Sequence, residues 1–221
     1  VKKISGVIFD MDGLIFDTEA VYSKNNIEIA QKFKMPGYDE EYYKSEVGLG
    51  EKAVYQKYVN DFPMLRQDEI DQFFKESRAS TWEEFSTVGA PIKPGVEELL
   101  TYLNNHSVKC VVASSNNREA IDMLLDKAGF MDKFSGIVSG NDVTHAKPHP
   151  EIVEKAVEIL GTPKEETIML EDSLNGIRAS FTANVPVIMV PDLILPNDEA
   201  KEKTLTIKDS LYDVLDYIKS V

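Results

Sequence analysis

Six short apolar runs, each followed by a segment of helical character, constrain this chain more than any other feature. They are ISGVIFD (4–10), KCVVASS (109–115), SGIVSG (135–140), TIMLED (167–172), VPVIMV (185–190) and TLTI (204–207). Strands that alternate with helices imply parallel βαβ units, because a parallel neighbour can be reached only through a crossover. The helices are marked at their ends. Pro94 is expected in the first turn of GVEELLTYLNN, and Asn116 with Glu119 reads as a capping box before REAIDMLLDKA, which Gly129 stops. Pro150 opens EIVEKAVEIL, Gly161 stops it, and LYDVLDYIKSV forms a last amphipathic helix. The expected fold is α/β, a Rossmann-like doubly wound parallel sheet.

Residues 18–88 break this rhythm. EAVYSKNNIEIAQKFK, DEEYYKSEV, EKAVYQKYVNDF and DEIDQFFKESRASTWEEF are helical in pattern, separated by Pro36-Gly37, Gly48 to Gly50 and Pro63. An all-helical domain (18–88) is therefore expected as an insertion after the first strand of a core formed by 1–17 and 89–221. Phe73, Phe74 and Trp82 are expected in its interior.

Composition narrows the partners. A formal charge of −14 argues against a nonspecific grip on nucleic acid, and no apolar run approaches the roughly 20 residues of a membrane span. The N-terminal lysines and short apolar run end in carboxylates rather than in a cleavage site, so no targeting segment is read. The single cysteine, Cys110, permits no intramolecular disulfide, which suits a reducing cytoplasm. A monomer is expected.

In doubly wound sheets ligands lie beyond the carboxyl ends of the strands, and four of those ends are polar here. The first carries Asp10 and Asp12, the second Ser114-Ser115-Asn116, a loop after the third His145, Lys147 and His149, and the fourth Glu171-Asp172. Carboxylates crowded at one rim require a counter-charge, and Mg²⁺, a hard cation held by one or two carboxylates plus substrate phosphate, supplies it. Asp10, Asp172 and Glu171 are the candidate ligands. An EF-hand loop is excluded, since Gly13 stands fourth from Asp10 and Ile15 sixth, where that loop needs its glycine.

Asp10 can attack phosphorus in line and form an aspartyl-phosphate. Asp12, two residues on, can protonate the leaving oxygen and later activate water. The Ser114 hydroxyl, the backbone N–H groups that follow it at Ser115 and beyond, and the Lys147 ammonium can hold the phosphoryl oxygens. Gly13 allows a tight turn beside them. Asp17 and Glu19 suit a helix start, and His145 and His149 suit loop and helix-entry positions rather than a ligand pair.

With DMDGLIFDTE (10–19), VVASSN (111–116), AKPHP (146–150) and LEDS (170–173) in this order, the chain resembles the haloacid dehalogenase superfamily. The helical insertion resembles the cap of its subgroup of β-phosphoglucomutases and small sugar-phosphate phosphatases. The resemblance implies Asp10 as nucleophile, Asp12 as acid/base with its carbonyl on Mg²⁺, Ser114 and Lys147 on the phosphate, and Glu171-Asp172 as metal ligands. It also implies a small phosphorylated metabolite as substrate. Tyr22 stands where the mutase has a cap histidine, and Glu51 where it has a phosphate-gripping arginine, with Lys52 one residue away. These cap positions favour hydrolysis over a phosphomutase reaction. A non-enzymatic phospho-switch is a third reading, disfavoured by Asp12 and by the insertion.

Overall fold

The structure is a computed structural model and describes residues 3–47, 49 and 51–221, with Glu51 described through its backbone alone. All six expected strands are present and parallel: β1 (Gly6–Phe9), β2 (Lys109–Ala113), β3 (Gly136–Val138), β4 (Thr167–Glu171), β5 (Val187–Met189) and β6 (Thr206–Ile207). Their order across the sheet is β3-β2-β1-β4-β5-β6. The chain builds outward from β1 on one side, then crosses to β4 on the other. That reversal leaves a crevice between the ends of β1 and β4, where Phe9 pairs with Leu170.

Apolar burial holds the sheet. Val7, Ile8, Phe9, Val111, Val112, Ile168, Met169 and Leu170 are fully buried, as expected for central parallel strands covered on both faces. Helices α5 (Val96–Asn105), α6 (Arg118–Ala128), α7 (Glu151–Leu160), α8 (Leu174–Thr182), α9 (Asp198–Lys203) and α10 (Leu211–Lys219) accompany it. Cys110 is buried in β2, which pushes its thiol up to about 12 and leaves it a packing residue at neutral pH.

Two helix starts differ from the sequence reading. The cap of α6 is Asn117, whose side chain accepts the Ala120 N–H at 2.9 Å, rather than Asn116. The Asn116 carbonyl is occupied by the Gly140 N–H at 2.8 Å and its side chain by the Asn117 N–H, so the helix begins one residue later. Likewise α5 starts at Val96 behind a Gly95 cap, leaving Pro94 outside the first turn.

The chain divides into two compact units, one of residues 1–17 and 91–221 and the other of residues 18–90. The second unit is all helical, with α1 (Thr18–Lys32), α2 (Glu40–Lys44), α3 (Glu51–Asp61) and α4 (Gln67–Thr87). Its interior is aromatic: Tyr38, Tyr43, Tyr58, Phe62 and Phe73 pack with Ala30 and Ile70. Glu46 is buried among them and accepts hydrogen bonds from the Tyr38 and Tyr58 hydroxyls at 3.1 and 2.8 Å. Trp82 is not part of this interior, being 37% exposed against 1% for Phe73. The buried stripe of α4 runs through Ile70, Phe73, Ser77, Thr81 and Phe85, and Trp82 falls one position off it.

Where the chain leaves and re-enters the core, the two passing segments are tied together. Phe16 bridges Ile92 in antiparallel fashion, the Asp17 N–H donates to the Pro91 carbonyl at 2.8 Å, and the Lys93 N–H donates to the Ile15 carbonyl at 2.8 Å. No helix among the described residues is long and apolar enough to cross a membrane.

Candidate active site

The carboxyl end of β1 delivers Asp10, whose N–H still donates to the Leu170 carbonyl of β4 at 3.0 Å. Beyond it the chain turns: the Ile15 and Phe16 N–H groups both donate to the Met11 carbonyl, and Gly13 sits at φ +78°. Asp12 is therefore carried by a turn rather than by a continuing strand, and its Oδ2 faces the Ser114 hydroxyl at 3.4 Å. Ser114 is fully buried at the end of β2, where its Oγ also accepts the Asn116 N–H at 3.1 Å. Ser115 is exposed.

Lys147 reaches this crevice from the loop after β3. Its ammonium donates to Asp10 Oδ1 at 2.6 Å, Glu171 Oε1 at 2.7 Å and the Ala113 carbonyl at 3.3 Å. All three of its protons have acceptors, from the ends of three adjacent strands. The side chain is only 6% exposed, so this geometry is fixed by its surroundings. Burial pulls the ammonium down, but Asp10 and Glu171 more than offset that, and its pKa lies above the ordinary lysine value.

Glu171 is fully buried, with both oxygens occupied. Oε1 accepts Lys147, while Oε2 accepts the Ser173 N–H at 2.7 Å and the Ser173 hydroxyl at 2.9 Å. Its carboxylate lies under the first turn of α8, where a negative charge is favoured. The room it needs comes from Gly176, since a Cβ at that position would overlap the Glu171 carboxylate itself. Gly176 stands five residues after Glu171 in EDSLNG, and nothing in its local pattern distinguishes it from a helix-interior glycine.

One carboxylate oxygen each from Asp10, Glu171 and Asp172 lies within 4.8 Å of the others. Burial, with the charges of Glu171 and Asp12, raises Asp10 to about 8 despite the opposing pull of Lys147. Burial and the same crowding by Glu171 and Asp10 hold Asp172 well above the usual carboxylate range. A second pair stands behind them: Asp192, on the segment after β5, accepts from Lys93 at 2.6 Å through Oδ1. Its other oxygen, Oδ2, is buried with no hydrogen-bond partner. Lys93 and Asp192 are separated by nearly a hundred positions and belong to no motif, which is why sequence reasoning passed over them.

These residues fit a hard cation. The donors are all carboxylate oxygens, and a single lysine neutralises only part of their charge. A cradle lies beside them: a Cβ on Gly13 would press into Asp172 Oδ2 and stand 3.1 Å from Asp192 Oδ2. Gly13→Ala should therefore displace Asp172 as well as strain the turn. Divalent-cation affinity by calorimetry is expected to fall at least about tenfold, the scale at which disturbed ligand positioning is felt. Unchanged Mg²⁺ affinity would refute this role for the cradle.

The sequence-nominated residues of the helical unit are distributed more widely. Tyr22 lines a cavity of about 450 Å³ inside that unit, with Asn26, Leu49, Phe74, Ser77 and Arg78. Lys52 is exposed on α3, and the side chain of Glu51 lies outside the described residues. Glu19 opens α1 and accepts the Tyr43 hydroxyl at 2.5 Å. His145 and His149 occupy the loop and the helix entry, as the sequence suggests, and their rings stand 4.5 Å apart beside Glu151. The loop folds back around Lys147, which linear spacing did not reveal.

The family profile for the haloacid dehalogenase-like hydrolases matches residues 7–190. The "Phosphorylated carbohydrates phosphatase" of Thermotoga maritima is 30% identical over 190 residues, covering 82% of each chain. "Pyrophosphatase PpaX" of Oceanobacillus iheyensis is 29% identical over 188 residues, covering 85% of this chain and 84% of that one. Among solved structures, the beta-phosphoglucomutase of Clostridium difficile superposes with a TM-score of 0.71 at 26% identity, covering 98% and 96% of the two chains. A family match over residues 7–190, together with phosphatase relatives that cover more than four fifths of both chains, makes the chain a phosphatase-type enzyme of the haloacid dehalogenase-like hydrolase family.

Proposed function

We propose that this enzyme is a Mg²⁺-dependent phosphatase that hydrolyses a small phosphorylated metabolite, a sugar phosphate, through an aspartyl-phosphate on Asp10. The observation that carries the reading is the Lys147 tripod, which fixes the Asp10 carboxylate at the mouth of the β1/β4 crevice beside Asp12, Ser114 and Asp172. The phosphatase of phosphorylated carbohydrates among its relatives supports the substrate class.

Asp10 would attack phosphorus through a carboxylate oxygen while the bond to the leaving oxygen breaks. Asp12, held beside Ser114, would give its proton to that oxygen, then take one from the water that attacks the aspartyl-phosphate. The Ser114 hydroxyl and Lys147 would bind the equatorial oxygens, with Ser115 contributing its backbone N–H. Mg²⁺ would be held by Asp10 and Asp172, with Glu171 and the Asp12 carbonyl as further candidate ligands, and would supply charge neutralisation at the phosphoryl group. Selection of the sugar is assigned to the helical unit of residues 18–90, with Tyr22, Glu51 and Lys52 as its first candidates.

Asp12→Ala should separate chemistry from assembly of the site. Turnover is expected to fall by about 10²–10⁴-fold, the range of a lost general acid/base, while Mg²⁺ binding measured by calorimetry persists. Equal losses in both would remove Asp12 from the proton-transfer role.

The second reading, a phosphomutase, rests on the likeness to beta-phosphoglucomutase. A phosphate-release screen across sugar phosphates, with and without Mg²⁺ and with a sugar bisphosphate, distinguishes the two. Hydrolysis predicts Mg²⁺-dependent inorganic phosphate that a bisphosphate does not divert. Hexose-phosphate interconversion faster than phosphate release would overturn the phosphatase reading.

A further inference from the structure

The geometry points to a second metal site, for a transition metal of the Zn²⁺ or Co²⁺ type, formed by His145, His149 and Glu151 on the loop that carries Lys147. One ligand atom from each residue lies within 4.8 Å of the other two. His145 Nδ1 is 3.2 Å from Glu151 Oε2, and the Glu151 N–H points to His149 Nδ1 at 3.3 Å. The imidazole rings are 4.5 Å apart and inclined by 31°.

These separations suit the chemistry. With bonds of about 2.0–2.1 Å to nitrogen and 2.0–2.2 Å to oxygen, a tetrahedral ion spans donor-to-donor edges of about 3.4 Å. The existing His145 to Glu151 contact is already close to that edge, and a modest closure would bring His149 in. Two imidazoles and one carboxylate select a borderline-soft cation, whereas Mg²⁺ prefers an all-oxygen set such as that around Asp10. Three protein ligands leave a fourth position for water.

The ligands are also held in place. Glu151 is anchored by the Thr144 N–H at 3.0 Å, the His145 N–H at 3.0 Å and Lys155 at 3.0 Å. It begins α7, so its backbone is set by a regular element. His145, with 62% of its side chain exposed, leaves an open route for an ion from solvent. An alternative role, in which the same contacts only brace the loop, requires no ion and predicts none bound.

The placement gives such an ion a consequence. Lys147 lies between the two histidines in sequence, so an ion that bridges them stiffens the segment that presents the ammonium to Asp10. Binding itself does not depend on the phosphatase reading, because none of the three ligands belongs to the proposed catalytic set.

The test uses the full chain saturated with Mg²⁺, so that the acidic centre is filled, and titrates it with Co²⁺. One equivalent should give the visible absorption of a four-coordinate ion with nitrogen ligands. His145→Ala and His149→Ala should each weaken binding at least tenfold, with His145→Gln and His149→Gln as milder replacements of similar shape. Asp172→Asn, which disturbs only the acidic centre, should leave it intact. Hydrogen exchange across residues 144–151 should slow when the ion is added. No absorption in the wild-type chain, absorption that survives both histidine substitutions, or absorption lost with Asp172→Asn would each overturn the proposal.

Discussion

Asp10→Asn is expected to reduce phosphate release from an aryl phosphate by at least about 10³-fold, the scale on which removal of a nucleophile is felt. The amide is nearly isosteric and can still accept from Lys147, so the crevice should keep its shape. What it loses is the carboxylate oxygen that attacks phosphorus. Retained turnover would remove Asp10 from the nucleophile's place. The same variant has a signature in stability, measured by thermal unfolding in a chelator. Burial raises Asp10 in the folded state to about 8 from an ordinary 3.8. Between those values the native chain keeps a proton that the unfolded chain gives up, so metal-free stability falls as pH rises through that window. Asp10→Asn does not titrate there and should reduce the decline, leaving the part that the raised Asp172 contributes. Lys147 acts outside the window: its raised folded pKa stabilises the protein below the ordinary lysine value, and that contribution disappears at higher pH. Mg²⁺ should restore the wild-type loss, adding about 2.7 kcal/mol at a hundred times its dissociation constant.

Gly176→Ala should be strongly damaging for a change of a single methyl group. The added carbon would overlap the Glu171 carboxylate, which has no exposed surface through which to withdraw. Expelling it would strip Lys147 of one of its two anionic partners and leave the Ser173 N–H without its acceptor. Breaking a buried ion pair from one side costs about 3–5 kcal/mol, far more than the roughly 1 kcal/mol that alanine gains over glycine in a helix. Denaturant unfolding should therefore show a loss of several kcal/mol, and any folded fraction should turn over slowly because its lysine is no longer fixed. A variant as stable as the wild type would mean that Glu171 can relocate without cost. Gly176→Ser, with a side chain of similar bulk, should do no better.

Much of this fold was legible because its signals are local. A buried parallel strand is a short, mostly apolar run, and such runs located all six strands in order. The rim followed from the rule that ligands gather at strand ends, which groups Asp10, Ser114, Lys147 and Glu171 from the sequence alone. What stayed hidden depends on packing. Asn116 and Asn117 are equally good caps by type, and only the Gly140 N–H, arriving from the end of β3, decides between them. Trp82 is an aromatic residue like Phe73 and is exposed by a rotation of one position around α4. Lys93 and Asp192 meet through the fold alone, and Gly176 matters for what it leaves empty. His145 and His149 show the same limit: the linear pattern places them at a loop and a helix entry, and only the folded loop brings their rings together.

The antiparallel tie between the segments around Phe16 and Ile92 also bears on how such a protein can change over generations. Because the departing and returning strands are hydrogen-bonded to each other, the core meets residues 18–90 as a loop whose ends are already closed. The entropy of closing a loop grows only with the logarithm of its length, about 0.6 kcal/mol for each doubling. The core is therefore almost indifferent to what lies between those ends. Shorter, longer or differently folded inserts could be exchanged there at little thermodynamic penalty, leaving the chemistry at Asp10 as the constant and the insert as the variable on which selection can act.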